Sequence, residues 1–383
     1  MDKSMKASVI GGGGGLGLAI VHALCEMGWS VDVYDRSDAR ELPEGSRFVC
    51  LNLLSDDLSQ IDIDGSDAVI YTAGFGRVAR FGDLCEYEIA NGFRVNAEMP
   101  ARVLSRCMPR MGRGDFYAAF IGSVAGRLPS PMFAAYGAQK SALRALVENV
   151  NAELEYDGGA NRVLLVEPGF MAGTGFYGGA TDVAGLMPLA REVIARMLRR
   201  ETNFMPDMDT YAPVLERARA DGAAFARSSM EYKLNSGRVS DKPSGIKGFL
   251  SGTFDLFHVG HLNLIMRAKQ YCDYLTVGVH PEGSSHKNKP IFIPLEERMR
   301  IVGSLKYVDR VVPTLDEDDD MYFQEPFDRL FVGSDYKGTP RFERYEKVLG
   351  PLGVKIIYFP YTQGTSSTQL RDAIAGETGK AEK

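Results

Sequence analysis

The chain has 383 residues, 45% hydrophobic and 25% charged, so it is longer than one average domain and ordinary in makeup for a globular protein. Its formal net charge of −6 gives no electrostatic support to a general role on nucleic acid or a membrane surface, and any anionic small substrate must be held by local basic residues. The five cysteines are odd in number and lack CxxC spacing, the usage expected of reduced, mostly buried thiols in a cytosolic protein. No uncharged apolar run reaches transmembrane length, and Met1 to Lys6 leads straight into a strand, so a secretory leader and a membrane span are not expected.

In chain order, the first predicted strand is Ala7-Ser8-Val9-Ile10. It runs into Gly11-Gly12-Gly13-Gly14-Gly15-Leu16-Gly17 and then a helix with Ile20, Val21, Leu24 and Met27 on one face. A second strand from Ser30 ends at Asp35, completing a βαβ opening with a phosphate-type loop between strand and helix. Residues 68–71, 115–121 and 162–166 read as buried parallel strands, and no final strand is readable beyond Tyr177. From 203 to 244 the pattern weakens to helices and then a linker near 236–246, marked by Asn235-Ser236-Gly237 and Lys242-Pro243-Ser244-Gly245. The alternation resumes at Lys247, with further strands at 274–279, 310–312, 329–332 and 354–358, and the acidic run 316–320 reads as a solvated loop. The expected fold class is therefore α/β, two Rossmann-like doubly wound parallel-sheet domains in tandem, one over 1–240 and one over 246–383.

Within the first domain, several short motifs stand in order. The Gly11-xxx-Gly15-x-Gly17 loop is followed by Thr72-Ala73-Gly74 after a strand, Asn96, Ser123 after the next strand, Tyr136-Gly137-Ala138-Gln139-Lys140, and Pro168-Gly169. Glycines in such a loop let the backbone approach a pyrophosphate and the helix pack closely. Over residues 5–200 this series resembles the short-chain dehydrogenase/reductases. The resemblance implies hydride transfer from NADPH or NADH to a ketone. Tyr136 would be the general acid/base, Lys140 the group that lowers its pKa and binds ribose, Ser123 the orienter of the substrate oxygen, and Asn96 the holder of a proton-relay water. The chemistry suits these types, because a phenol of pKa about 10 needs a nearby cation to work at neutral pH, and Lys140 lies one helical turn away. Gly11, Gly15, Leu16, Gly17, Asn52, Ala73, Gly74, Pro168 and Gly169 complete the implied dinucleotide site. Asp35 favours NAD through the ribose hydroxyls, while Arg36 beside it could accept the 2′-phosphate of NADP, and both alternatives stay open. Two positions depart from the family: Ile10 replaces a threonine and Tyr71 an asparagine. Ser123 would serve equally as a helix N-cap.

The second domain opens with Ser251-Gly252-Thr253-Phe254-Asp255-Leu256-Phe257-His258-Val259-Gly260-His261 after an apolar strand. Two histidines three apart on a starting helix would share one face, beside free backbone N–H groups that suit phosphate. The stretch resembles the HxGH nucleotidyltransferases, most closely cytidylyltransferases of the glycerol-3-phosphate and phosphoethanolamine type, over residues 247–375. The resemblance implies attack of a substrate phosphate on the α-phosphorus of CTP with loss of pyrophosphate, aided by Mg²⁺. His258 and His261 would donate to the phosphates. Lys287 and Lys289 would neutralise them. Gly252, Thr253, Phe254, Arg298, Gly333, Asp335, Thr365, Ser366, Ser367 and Thr368 would line the nucleotide. Tyr361 stands where many members carry an arginine, so Arg298 or Lys289 would meet part of the triphosphate charge. No dedicated protein metal site is expected.

A carbonyl reductase joined to an enzyme that consumes a phosphomonoester points to one metabolite, a ketose phosphate reduced to an alditol phosphate and activated as a CDP-alditol. Ribulose 5-phosphate to CDP-ribitol leads, and CDP-arabinitol, CDP-mannitol and CDP-glycerol are alternatives. Such products would feed teichoic-acid-type or capsular polymers from a bacterial cytoplasm. The other readings are an adenylyltransferase joined to a dinucleotide-sensing domain, and a scaffold without activity. The partners implied are a small sugar phosphate and CTP, without nucleic acid or membrane, in a homo-oligomer (dimer or tetramer) as short-chain reductases commonly form.

Overall fold

The computed structural model describes residues 5–36, 42–54, 58–174, 176, 181–240, 245–282 and 291–360. The chain divides into two compact units, Met1–Ser244 and Gly245–Lys383. The first contains β1 (Lys6–Ile10), α1 (Gly15–Glu26), β2 (Ser30–Asp35), β3 (Ser46–Cys50), β4 (Ala68–Tyr71), α2 (Glu86–Phe93), α3 (Met99–Met111), β5 (Tyr117–Ile121), α4 (Ala134–Tyr156), β6 (Val163–Val166), α5 (Val183–Leu198), β7 (Asn203–Phe204), α6 (Met208–Ala220) and α7 (Gly222–Asn235). Its seven strands lie parallel in the order β3-β2-β1-β4-β5-β6-β7. Because β1 pairs with β2 on one side and β4 on the other, the order reverses between β1 and β4, and a crevice forms at their carboxyl ends.

The strands are apolar on both faces, as strands covered by helices on each side must be. Alternate residues divide between two cores. Ile10, Tyr71, Phe120 and Leu165 pack with α3 and α4, while Val9, Ile70, Ala119 and Leu164 pack with α1 and α5. The strand not readable beyond Tyr177 is β7. It has only two residues, joined to β6 through Leu165↔Asn203 and Val166↔Phe204, too short for any periodicity to show.

The second unit contains β8 (Lys247–Gly252), α8 (Val259–Gln270), β9 (Tyr274–Val279), α9 (Leu295–Gly303), β10 (Arg310–Pro313), α10 (Asp318–Gln324), β11 (Arg329–Gly333), α11 (Pro340–Leu349) and β12 (Lys355–Phe359). Its parallel order is β10-β9-β8-β11-β12, with α8 and α9 on one face and α10 and α11 on the other. The order reverses between β8 and β11, again opening a crevice at the carboxyl ends. The acidic run is not a solvated loop. Asp318 and Asp319 open α10 and are buried, and Arg344 pairs with Asp319 at 2.9 Å. The carboxylates sit at a helix N-terminus, where the dipole favours them. Of the five cysteines only Cys107 and Cys272 are buried and Cys50 is exposed, so the expectation of mostly buried thiols does not hold.

Candidate functional site

The glycine loop of the first unit is built by close backbone approach. Gly11 has φ +85°, and a Cβ there would fall 2.4 Å from the Ala73 nitrogen; a Cβ on Gly17 would fall 2.2 Å from the Gly11 oxygen. Thr72 fastens the two strand ends, its hydroxyl donating to the Ile10 and Gly11 carbonyls at 3.0 and 2.9 Å. No side chain caps α1 at Gly14, so the first turn faces the crevice with backbone N–H groups, of which Gly15 donates to Thr181 Oγ1 at 3.1 Å. Leu16 is buried beneath the loop. Asp35, at the end of β2, accepts the Gly13 N–H at 3.0 Å, which puts its carboxylate against the loop, while Arg36 is exposed. Asn52 is buried and accepts the Leu54 N–H at 3.0 Å.

Four side chains converge at the carboxyl ends of β4 and β5. Lys140 is buried in α4, and its ammonium donates to the Ile121 carbonyl at 2.8 Å while lying 5.7 Å from the Tyr136 ring centre. Burial pulls its pKa down to about 7. Asn96 lies in a π-helical turn, Arg94–Glu98, between α2 and α3. Its amide donates to the Phe75 carbonyl and to Gln139 Oε1, both at 2.8 Å, and its oxygen accepts the Phe75 N–H at 3.3 Å. Gly74 threads between the two groups: a Cβ there would meet Asn96 Oδ1 at 2.7 Å and Lys140 Nζ at 3.3 Å. Ser123 caps a 3-10 turn, accepting the Ala125 N–H at 3.2 Å, and its hydroxyl lies 3.4 Å from the Pro168 carbonyl. Gly169 faces Tyr211 of α6, whose hydroxyl accepts the Phe170 N–H at 3.2 Å.

The departure at Tyr71 has a structural reason, since its buried phenol donates to the Val95 carbonyl at 2.7 Å and so supports the turn that carries Asn96. Sequence reasoning did not single out Gln139, Thr181 or Tyr211. Of these, Gln139 alone had a signal, because it lies inside the Tyr-xxx-Lys helix.

In the second unit the HxGH loop is a strained backbone with several braces. Phe254 and Leu256 have φ of +52° and +50°, a conformation costing roughly 1–3 kcal/mol per residue unless held. Asp255, which is buried, accepts the N–H groups of Phe292 and Ile293 at 3.2 and 3.1 Å. Arg298 is fully buried, donating to the carbonyls of Thr253, His280 and Ile293 at 2.7 Å each and to Glu282 at 2.9 Å. The expectation that Arg298 meets the triphosphate is therefore corrected. Its guanidinium is spent on backbone carbonyls behind the loop.

The histidine pair is also built differently from the expectation. His258 is not on the helix but is its N-cap, with extended backbone (φ −140°, ψ 174°), and its Nδ1 accepts the Gly260 N–H at 3.0 Å. His261 lies in the first turn, and the two rings stack 4.0 Å apart. Burial lowers the His258 pKa, which favours the neutral ring. With Nδ1 accepting, the proton sits on Nε2 as a donor. Gly252 and Thr253 lead into this loop, and Phe254 packs edge-on against His261 with centroids 5.3 Å apart. Gly333 ends β11 beside Asp335, whose Oδ1 would lie 2.4 Å from a Cβ at Gly333. Lys287, Lys289, Tyr361, Thr365, Ser366, Ser367 and Thr368 lie outside the described residues. Among the described residues no three His, Cys, Asp or Glu side chains gather as a metal site, and no helix is long and apolar enough to cross a membrane.

Comparison with known proteins agrees with both units. The family profile described as short chain dehydrogenase matches residues 55–182, and the one described as cytidylyltransferase-like matches residues 249–373. Glycerol-3-phosphate cytidylyltransferase of Bacillus subtilis (strain 168) is 33% identical over 128 residues, covering 33% of this chain and 94% of that protein. The enzyme of the same name from Staphylococcus aureus (strain NCTC 8325 / PS 47) is 33% identical over 135 residues, covering 34% of this chain and 95% of its own. The solved structure of a short chain dehydrogenase from Burkholderia cenocepacia J2315 in complex with NADP covers 60% of this chain and 98% of its own, with TM-score 0.50 and 18% identity, a likeness of fold. The chain is thus a fusion of a short-chain dehydrogenase/reductase oxidoreductase domain with a domain of the cytidylyltransferase-like nucleotidyltransferases.

Proposed function

We propose that the chain reduces a ketose phosphate with NADPH or NADH and then transfers CMP from CTP to the resulting alditol phosphate. The observation that carries this reading is the presence in one chain of a Tyr136–Lys140–Ser123–Asn96 cluster and of an HxGH loop whose His258 is fixed as an Nε2–H donor. In the first domain the glycine cradle, with Asp35 at its edge, suits a dinucleotide, because its close backbone approaches leave no room for side chains where a pyrophosphate would lie. The nicotinamide supplies the hydride. Tyr136 gives its phenolic proton to the oxygen of the carbonyl as hydride reaches the carbon, Ser123 orients that oxygen, and the Lys140 cation stabilises the phenolate left behind. Asn96, held by Gln139 and Phe75, keeps the turn beside Gly74 in register with Lys140.

In the second domain, an oxygen of the alditol phosphate attacks the α-phosphorus of CTP, and the bond to pyrophosphate breaks. His258 and His261 donate to the phosphate oxygens that gain charge, and the α8 N-terminus adds its dipole. Lys287 and Lys289 neutralise the triphosphate, with a divalent cation carried on it. The B. subtilis and S. aureus relatives, named for glycerol 3-phosphate, support a phosphorylated polyol as acceptor. Pairing with a carbonyl reductase favours a polyol made on the same chain. Ribulose 5-phosphate to CDP-ribitol is the leading pair, for a polymer of teichoic-acid or capsule type.

The test is a coupled assay of the whole chain with NADPH or NADH, CTP, Mg²⁺ and a panel of ketose phosphates, following nicotinamide absorbance and product mass. A CDP-alditol formed only when both nucleotides are present is the expected result. Product formed with ATP and not with CTP, or no nicotinamide oxidation with any ketose phosphate, overturns it.

A further inference from the structure

The first unit carries two basic residues, Lys233 and Arg238, on a segment tied to the loops that flank Tyr136, and the reaction as written does not use them. Met230 of α7 packs against the cluster of Val78, Ala125, Met132 and Phe133. Beyond α7 the chain runs to Ser240, whose N–H donates to the Val78 carbonyl at 3.0 Å and whose own carbonyl accepts from Arg77 at 2.7 Å. The 230–240 segment is thereby fastened both to the loop that precedes α4 and to the loop that follows β4. These are the two loops that flank Tyr136, since a Cβ on Gly76 would fall 2.7 Å from its ring and Phe133 stacks on it at 4.4 Å.

Two cations come from this segment. Lys233 is buried, and among the described residues its ammonium donates to two neutral oxygens, Ser130 Oγ at 2.6 Å and the Pro131 carbonyl at 2.8 Å, while lying 6.0 Å from the Phe133 ring centre. The Arg238 guanidinium lies 5.1 Å over Tyr232 and 5.5 Å over Phe170, the residue that follows Pro168-Gly169. Burial, and then the charge of Arg238, pull the Lys233 pKa down to about 8, while Arg238 is half-exposed and donates from Nε to Ser236 Oγ at 3.2 Å. An anion received at Lys233 offsets both its burial and the charge of Arg238, and hydrogen bonds from charged donors to phosphate are among the stronger ones. The adenosine end of the dinucleotide is marked by Asp35 at the end of β2, on the other side of β1 from the strands that carry these loops, so the 2′-phosphate of NADP is not the anion in question.

We propose that Lys233 and Arg238 form the phosphate subsite of the reductase, through which it selects a ketose phosphate over the free ketose. The proposal rests on the reductase reading given above. The test is steady-state reduction by the full-length chain and its Lys233→Met and Arg238→Gln variants, with a ketose 5-phosphate and the matching free ketose as substrates. Each variant should raise KM for the phosphorylated ketose roughly 10- to 100-fold with kcat held within about threefold, as loss of a charged hydrogen bond to substrate requires. KM for the free ketose and for the nicotinamide cofactor should stay at the wild-type value, and Lys233→Arg should recover part of the loss. Arg238 is partly exposed, so its variant carries the test if Lys233→Met fails to fold. Wild-type preference for the phosphorylated ketose, kept in full by the folded variants, overturns this proposal alone. Wild-type protein that reduces no ketose phosphate overturns the reductase reading together with it.

Discussion

Lys140 shows how one buried side chain links stability to pH. Its ammonium has the Ile121 carbonyl for a partner, and burial lowers its pKa from 10.5 to about 7. Between those values the unfolded chain holds a proton at this position that the folded chain does not, so this residue makes the fold more stable as pH rises. The contribution is complete above 10.5 and is lost as pH falls through about 7. The expected outcome is that the wild-type melting temperature, measured against Lys140→Met at each pH, climbs between pH 7 and 9. A difference that is flat or falls with pH would contradict the assignment. In the proposed reduction the position that weakens the cation is also the one from which it would tune Tyr136, because a charge stripped of water acts more strongly on a neighbouring phenol.

At the level of elements, α8 depends on a histidine for its N-cap. His258 accepts the Gly260 N–H through Nδ1, and the same bond fixes the Nε2–H that the proposed CMP transfer would use as donor. The two roles can be separated by substitution. Asparagine supplies a cap acceptor without the ring, so His258→Asn should keep its melting temperature near wild type while CMP transfer falls roughly 10²- to 10³-fold. His258→Ala should lose the same activity and about 1 kcal/mol of stability besides, read by urea unfolding. Equal stability losses in both variants would argue that the cap is not what His258 contributes to the fold. The loop before this helix follows the same logic, with two strained residues, Phe254 and Leu256, held by Asp255 and Arg298 from behind. In the proposed transfer that rigidity would keep the donors aimed, and donors that need no reorganisation stabilise developing charge most effectively.

For the whole molecule, two sheets with separate crevices imply separable activities. Tyr136→Phe should abolish nicotinamide oxidation and leave CMP transfer to a supplied alditol phosphate intact, and His261→Ala should do the reverse. Loss of both activities from either change, in protein with unaltered circular dichroism, would refute a two-site chain. The α/β alternation, the glycine loop, Tyr-xxx-Lys and HxGH are all legible in the sequence, because each is a run of neighbouring residues meeting the needs of one turn or one helix start. The two-residue β7 escapes detection there, since a strand that short is defined only by its pairing with β6. The acidic run misleads for a related reason: charge suggests solvent, and only the fold supplies the helix N-terminus at which Asp318 and Asp319 are buried and the Arg344 partner of Asp319.

By itself, then, the sequence determined the fold class, the order of the two domain families and the motifs that nominate the candidate side chains, all of which depend on local spacing and residue type. The tertiary structure decided what each polar group is spent on. Arg298 turned inward to carbonyls, His258 left the helix to cap it, Asn96 was locked by Gln139 from 43 residues away, and Lys233 reached Ser130 across 103 residues. The physical reason is that a buried donor or acceptor must find a partner within hydrogen-bonding distance, and which groups come that close is set by packing rather than by position along the chain.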